Sequence, residues 1–266
     1  DTFTNGGIQL QAGATKGAVR GNKLDACAAT SAGAQYGAIL CNASEITISD
    51  NVVTGCTQTG ISLFAVNDVT ISNNAIVGTG SGNSGGIITD GLCTRITISG
   101  NSIAAVNVEG IQIAGDINTY GDATRVISIT GNVIAGAAYS GITLYAADAG
   151  AVQKVSIAGN TIAKSDLTTN AIQTDKAKDV TITGNYIEGY AIGIDPINSS
   201  TNINVVGNTF VGQGTIAILA WASKSVVSSN SIRGIKTTTT GIAANSAAIA
   251  GNILICDNLI ENCLTG

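Results

Sequence analysis

Two short apolar phrases recur along the chain. The first is a β-branched run closed by Asn: VTISNN (69–74), ITISGN (96–101), ISITGN (127–132) and VTITGN (180–185). The second begins on a small residue: GIQL (7–10), GISL (60–63), GIQI (110–113), GITL (141–144) and AIQT (171–174). Both alternate apolar and polar positions with period two and are too short for amphipathic helices, so both predict strands. Aligned on the closing residue, the anchors are Asn22, Asn51, Asn74, Asn101, Asn132, Asn160, Asn185, Asn208, Asn230 and Asn258, spaced 22 to 31 residues apart. Two positions after each stands an apolar residue: Leu24, Val53, Ile76, Ile103, Ile134, Ile162, Ile187, Phe210, Ile232 and Ile260. Repeats of two or three short strands, none able to bury its apolar face alone, predict rungs stacked into a β-solenoid with almost no helix.

On these repeats the chain resembles the right-handed parallel β-helix superfamily, the pectate-lyase-like and phage-tailspike group, over essentially residues 1–266. The resemblance implies an all-β solenoid of about ten coils forming one domain. An inward Asn on each coil offers an amide donor and an acceptor, and a strand spacing of about 4.8 Å lets successive amides bond as an internal ladder. The Gly before the Asn (Gly100, Gly131, Gly159, Gly184, Gly207) predicts a positive φ at that corner. Insertions are expected at 115–125, 146–153 and 236–240, and Pro196 at a strand end.

In the β-branched phrase the residues four and two before the anchor face outward, giving a Thr/Ser face: Thr47/Ser49, Thr70/Ser72, Thr97/Ser99, Ser128/Thr130 and Thr181/Thr183. Thr is strand-favouring and pairs well across strands, the ordinary explanation; an ice-binding array and a subunit contact are the alternatives. In the second phrase, counting outward from the small residue gives Ile39/Cys41, Gln112/Ala114, Thr143/Tyr145, Gln173/Asp175 and Gly193/Asp195. One face thus collects Asp90, Gln112, Tyr145, Gln173, Asp175 and Asp195, with Asp116, Asp148 and Trp221 beside it. Carboxylates, amides and aromatic rings on a long surface suit sugar hydroxyls and pyranose faces. This count puts Asp175 and Asp195 in one register on successive coils, where two carboxylates can divide the roles of acid and of nucleophile or base in glycoside hydrolysis.

The segment IGIDPIN (192–198) is also similar to the Tyr-Gly-Phe-Asp-Pro-His segment of β-helical alginate C5-epimerases. Gly193, Asp195 and Pro196 match, and the resemblance would make Asp195 catalytic. Ala191 and Ile197 stand where the proton-transferring Tyr and His belong, so the activity does not carry over.

The chain has no His, which removes a Ser-His-Asp triad and a His-based lyase. A cationic lyase base would have to be Lys154, Lys176 or Lys178. Net charge is −5 with Lys and Arg dispersed, which argues against nucleic acid and anionic membrane partners. No apolar run is long enough to span a bilayer, so membrane insertion is not expected. Of six cysteines, Cys27, Cys56 and Cys263 each fall five residues after an anchor, which stacks Cys27 on Cys56 within bridging distance. Such stacks usually hold free thiols acting as small hydrophobes. No CxxC spacing predicts a metal site, and no cofactor is expected. There is no Met and no visible signal peptide, so a fragment of a longer chain is expected.

These readings combine into the β-helical body of a tailspike-like protein, located on a virion tail or otherwise extracellular. It would bind a bacterial surface polysaccharide and depolymerise it by glycoside hydrolysis through Asp175 and Asp195. Asp90, Gln112, Asp116, Tyr145, Asp148, Gln173 and Trp221 would hold the sugar. The tailspike resemblance implies a homotrimer. The alternatives are a structural or adhesive β-helix, ice-binding included, and a secreted polysaccharide lyase.

Overall fold

The computed structural model describes residues 7–27, 37–80, 84–164, 166–234, 239–244 and 252–264. They form a parallel β-solenoid of three ten-stranded sheets, each rung giving one strand to each sheet. In rung order we call them the face sheet (for example Asn170–Asp175), the ladder sheet (Lys178–Thr183) and the short sheet (Tyr186–Glu188). All pairings are parallel and run to the next rung in sequence.

The anchor Asn residues turn the corner between the ladder and short sheets, and their amides form a continuous ladder. At Asn132 the backbone N–H and the side-chain Nδ2 both donate to Asn160 Oδ1 at 2.9 Å, and Nδ2 also donates to Ile98 O at 3.0 Å. The same unit repeats from Asn22 through to Asn258. The residue before the anchor is left-handed, with φ of 62° to 66° at Gly100, Gly131, Gly159, Gly184 and Gly207. Asp50, Asn73, Ser229 and Asp257 hold the same corner at 55° to 58°. Asn and Asp are the side chains that tolerate this region best, which accounts for three of those four.

Inside, three apolar stacks meet. Ile61, Ile87, Ile111, Ile142, Ile172, Ile194 and Ile218 come from the face sheet, Ile71, Ile98, Ile129, Ile157 and Ile182 from the ladder sheet, and all are 0% exposed. Ile76, Ile103, Ile134, Ile162, Ile187 and Phe210 from the short sheet close the section. The small residue opening each face strand has a steric cause. A Cβ at Gly110 would lie 2.5 Å from Ile134 Cγ2 and 2.6 Å from Gly141 O, and one at Gly141 would lie 2.3 Å from Ile162 Cγ2.

The face strands correct the outward count at two coils. Ile8 pairs with Ile39 and Ile39 with Ile61, so Ala38, not Gly37, is the small residue of that rung. Ile39 and Cys41 therefore point inward and are 0% exposed, while Leu40 and Asn42 take the outward register. Ile172 pairs with Ile194, so Gly193 rather than Ala191 matches Ala171. Asp195 consequently lies beside Gln173, and Asp175 lies beside Ile197. The two carboxylates are not in one register.

The insertion at 115–125 holds a one-turn helix, Ile117–Tyr120, capped by Asp116 and closed by Gly121 at φ 74°. The insertion at 236–240 falls partly outside the described residues. Among the described residues no helix is long and apolar enough to cross a membrane.

Candidate functional site

Two outward columns run along the face sheet. The inner one carries Gln112, Thr143 and Gln173 in register, then Asp195. The outer one carries Phe64, Asp90, Ala114, Tyr145, Asp175 and Ile197. Continuing from the Ile194–Ile218 pair, the register brings Trp221 onto the rung after Ile197.

Asp195 is the most enclosed carboxylate of the face, 6% exposed. Its Oδ2 accepts from Asn170 Nδ2 at 2.8 Å. Its Oδ1 is buried with no hydrogen bond of good geometry, although the Gln173 amide beside it stabilises the charge. Burial outweighs both amides and pushes the carboxyl above its ordinary value. Asp175 also buries an Oδ1 without a partner. One strand spacing and two residue rises separate the Cα atoms of Asp175 and Asp195, roughly 8 Å on a diagonal.

The same stretch orphans two more polar atoms. Thr143, 5% exposed, buries Oγ1 without a partner, and Trp221 does the same with Nε1. Trp221 lines a cavity of about 570 Å³ with Pro196, Ile197, the turn 198–201 and Ser223. That turn is built on consecutive left-handed residues, Asn198 at φ 49° and Ser199 at φ 65°. Buried polar groups normally find partners, so four orphans on two adjoining columns mark a surface shaped for something else to bond. Tyr145, 47% exposed, offers a ring beside Asp175.

The other expected contacts separate from this cluster. Asp116 is spent on the helix cap, accepting from Thr119 N at 2.9 Å. Asp148 accepts from the Asn118 side chain and from Asn118 N at 3.3 Å. Asp90 accepts from Gly91 N at 2.7 Å, near an edge-to-face pair of Phe64 and Tyr120 with centroids 6.3 Å apart. Gln112 lies one rung before Thr143 at the margin. Lys176 is tied to Ala147 O at 2.8 Å, while Lys154 and Lys178 stand in the ladder sheet, so none supplies a cation to the carboxylates. The sequence reading missed Asn170 and the orphaned Thr143 hydroxyl. The available signal for Asn170 was a polar amide just before the small residue Ala171, one rung before the only Asp-Pro in the chain.

On the Thr/Ser face, nine rungs carry a left-handed residue just before the apolar run: Lys16, Glu45, Asp68, Arg95, Val126, Lys154, Asp179, Asn202 and Lys224, seven of them charged. Arg95 and Asp68 form an exposed ion pair at 2.6 Å there. A charged ridge therefore borders the Thr/Ser columns, and Val226 and Leu254 interrupt them.

The sequence matches the family model described as periplasmic copper-binding protein (NosD) over residues 6–120 and 117–215. The chain belongs to the NosD family. No curated protein sequence matches it. Among solved structures, this NosD-family chain is similar to the periplasmic alginate epimerase AlgG, with TM-score 0.63 and 14% identity over 82% of this chain and 51% of that one. It is also similar to DFA-IIIase from Arthrobacter chlorophenolicus A6 in the form without its lid. Against the complex with GF2 the TM-score is 0.62 and the identity 14%, over 85% of this chain and 59% of that one. Against the form without GF2 the TM-score is 0.62 and the identity 13%, over 94% and 69%. The chain thus spans about half the length of the epimerase. All three likenesses are to parallel β-helices, which is the fold described above.

The family description implies copper, and the residues present do not fit it. Copper sites use imidazole, thiolate or thioether donors, and this chain has no His and no Met. Among the described residues no three His, Cys, Asp or Glu side chains gather. Cys41, Cys56 and Cys93 are core residues at 0–1% exposure, and burial pushes their thiols up, Cys56 to about 12 and Cys93 to about 11.

Proposed function

We propose that the face sheet binds a linear polysaccharide and that Asp175 and Asp195 hydrolyse it. One observation carries the reading: Thr143 Oγ1, Asp175 Oδ1, Asp195 Oδ1 and Trp221 Nε1 are all buried on one stretch of the face without a well-formed hydrogen bond, Asp195 Oδ1 having only the Gln173 amide beside it. Sugar hydroxyls both donate and accept, so a bound glycan satisfies hydroxyl, carboxylate and indole groups alike. Phe64, Tyr145 and Trp221 recur every third rung of the outer column, roughly 14 Å apart at one strand spacing per rung, and each offers an edge or face of a ring to an extended chain. The solved neighbours, an alginate epimerase and a DFA-IIIase, lend support from the fold.

Asp195 is the general acid, since burial raises its carboxyl above the ordinary value and so favours the protonated form. It gives its proton to the glycosidic oxygen as that bond breaks. Asp175 takes a proton from a water that attacks the anomeric carbon from the opposite side. A diagonal separation of roughly 8 Å favours this inverting route over a covalent intermediate. Among the described residues no cation faces the pair, which favours a neutral or amino-sugar polymer over a polyuronate and leaves the lyase alternative without a base there. The charged ridge beside the Thr/Ser columns likewise weighs against an ice-binding plane. Within this reading the polymer is a bacterial surface polysaccharide met in the periplasm or outside the cell. The homotrimeric tailspike form of the idea draws its support from the shared fold alone.

The test is reducing-end release from capsule and O-antigen polysaccharides, with anomeric configuration followed by proton NMR. Asp175→Asn and Asp195→Asn are each expected to abolish release while circular dichroism stays unchanged, and wild-type product to appear with inverted configuration. Binding that survives both substitutions without any release by wild type would leave a lectin-like surface and sink the hydrolytic half. Absence of binding, read on the fluorescence of the single Trp221, would sink the whole.

A further inference from the structure

The corner below the first two short strands gathers two thiols that no part of the glycan face uses. Lys23, Leu24 and Asp25 pair with Val52, Val53 and Thr54, and the register continues so that Cys27 sits one rung from Cys56. Ala26 N donates to Thr54 O at 2.9 Å, and Thr57 N donates to Cys27 O at 3.0 Å, so the backbones on both sides of the thiols are fixed. Cys56 Sγ also donates to Thr54 O at 3.6 Å. Both are unbridged. Adjacent rungs hold Cα atoms about 4.8 Å apart, inside the roughly 4.4–6.8 Å span that disulfides occupy.

The pair is asymmetric. Cys56 is 1% exposed in the core, whereas Cys27 is only partly buried. Gly7 lies over Cys27, and a Cβ there would come within 3.0 Å of its sulfur, so the missing side chain leaves the thiol room. The position recurs five residues after the other anchors and is filled there by Thr79, Val106, Ala137, Ser165, Tyr190, Gln213, Ile235 and Cys263. Two thiols on adjacent rungs are therefore a feature of this place and not a habit of the repeat. The remaining cysteines offer no rival pair. Cys41 and Cys93 are 0% exposed and bonded to the carbonyls of Ala43 and Asp90 at 3.2 and 3.4 Å, which seals them from any reagent. Cys256 and Cys263 stand on different sides of the last rung.

We propose that Cys27 and Cys56 form a dithiol site that reacts with a disulfide-bearing oxidant, a small-molecule disulfide or an oxidised dithiol protein, and becomes a covalent staple between the first two rungs. Cys27, the accessible thiol, attacks as its thiolate one sulfur of the oxidant. The oxidant's S–S bond breaks and its first half leaves as a thiol, giving a mixed disulfide on Cys27. Cys56 then loses its proton to water and attacks the Cys27 sulfur, and the oxidant's second half leaves as a thiol. Two protein thiols are oxidised and one oxidant disulfide is reduced to two thiols.

The experiment takes the reduced full chain carrying Cys256→Ser and Cys263→Ser, which removes the two other part-exposed thiols, treats it with oxidised glutathione and counts thiols in denaturant. This parent should fall from four titratable thiols to two, lose two hydrogen masses, and yield one Cys27–Cys56 linked peptide. Cys56→Ser in the parent should stop at the mixed disulfide, gaining one glutathione on Cys27. Cys27→Ser in the parent should keep all its thiols, because the buried Cys56 is not reached. Circular dichroism on each variant checks that it is folded. A parent count that stays at four, a different linked pair, or a stable glutathione adduct on the parent without closure would each overturn the proposal.

Discussion

The Asn corner and the outward face belong to the same rungs and are built on the same spacing, yet they treat polar groups in opposite ways. At the corner every amide is closed off: Asn132 receives the backbone and side-chain N–H of Asn101 and gives its own to Ile98 O and Asn160 Oδ1. On the face, four successive rungs leave Thr143, Asp175, Asp195 and Trp221 with buried atoms that make no well-formed hydrogen bond. Uniform satisfaction makes the corner a structural spine. Selective dissatisfaction, in a fold that shows how easily it can satisfy such groups, makes the face a place for a ligand.

The largest effect should come from breaking the spine. Asn132→Ala strands the buried backbone N–H of Asn101 and the carbonyl of Ile98 and takes one acceptor from the Asn101 amide, at a cost of about 3–5 kcal/mol, read as a lowered urea midpoint. Glycan affinity of the protein that remains folded should be unchanged. Next comes Gly110→Ala, whose Cβ would meet Ile134 and a carbonyl at 2.5–2.6 Å. Overpacking of this kind costs about 1–3 kcal/mol, and Gly131→Ala, with open space but a φ of 63°, should cost about 1–2 kcal/mol through strain alone.

Substitution on the face should invert that pattern. Asp195→Asn removes a poorly solvated carboxylate, so stability at neutral pH is expected to hold or rise while activity disappears. The pH dependence has a definite sign. Because the folded carboxyl is raised, its proton favours the folded state: the gain is fully present below the ordinary carboxylate value and is lost as pH climbs through the raised one. Thermal melts across acid pH should show that decline in wild type and not in Asp195→Asn. A decline shared by both would assign it elsewhere. The smallest expected change is Trp221→Phe, which keeps the ring and deletes the orphaned N–H. Glycan affinity should fall about fivefold to tenfold, the worth of one hydrogen bond of about 1 kcal/mol, with no change in melting.

Most of the solenoid could be read from the chain because its constraints are local and repeated. An Asn, a left-handed residue before it and an apolar residue two positions after it report each corner separately. Register was harder, and its two errors differ in kind. At Gly37/Ala38 the choice was off by one, which turns a strand over and moved Ile39 and Cys41 from core to surface. At Ala191/Gly193 two small residues stand two apart, and a shift of two keeps every side chain on its own face. The face was therefore right and the neighbours wrong, so Asp195 was paired with Asp175 instead of Gln173. Nothing in the local pattern distinguishes the two glycine-like positions. What does is the Phe210 ring one rung on, 2.7 Å from where a Gly193 Cβ would be. The orphaned atoms were illegible for a related reason, since a missing partner is a property of the neighbours and not of the residue.

Successive Asn amides are spaced by the hydrogen bond itself, whichever of the 22- to 31-residue segments lies between them. Length added to a loop therefore never changes the pitch. Distance along this molecule comes in whole steps, and chemical groups on its faces can change address only by one graduation at a time. A polymer with its own fixed repeat is the kind of object such a ruler can measure.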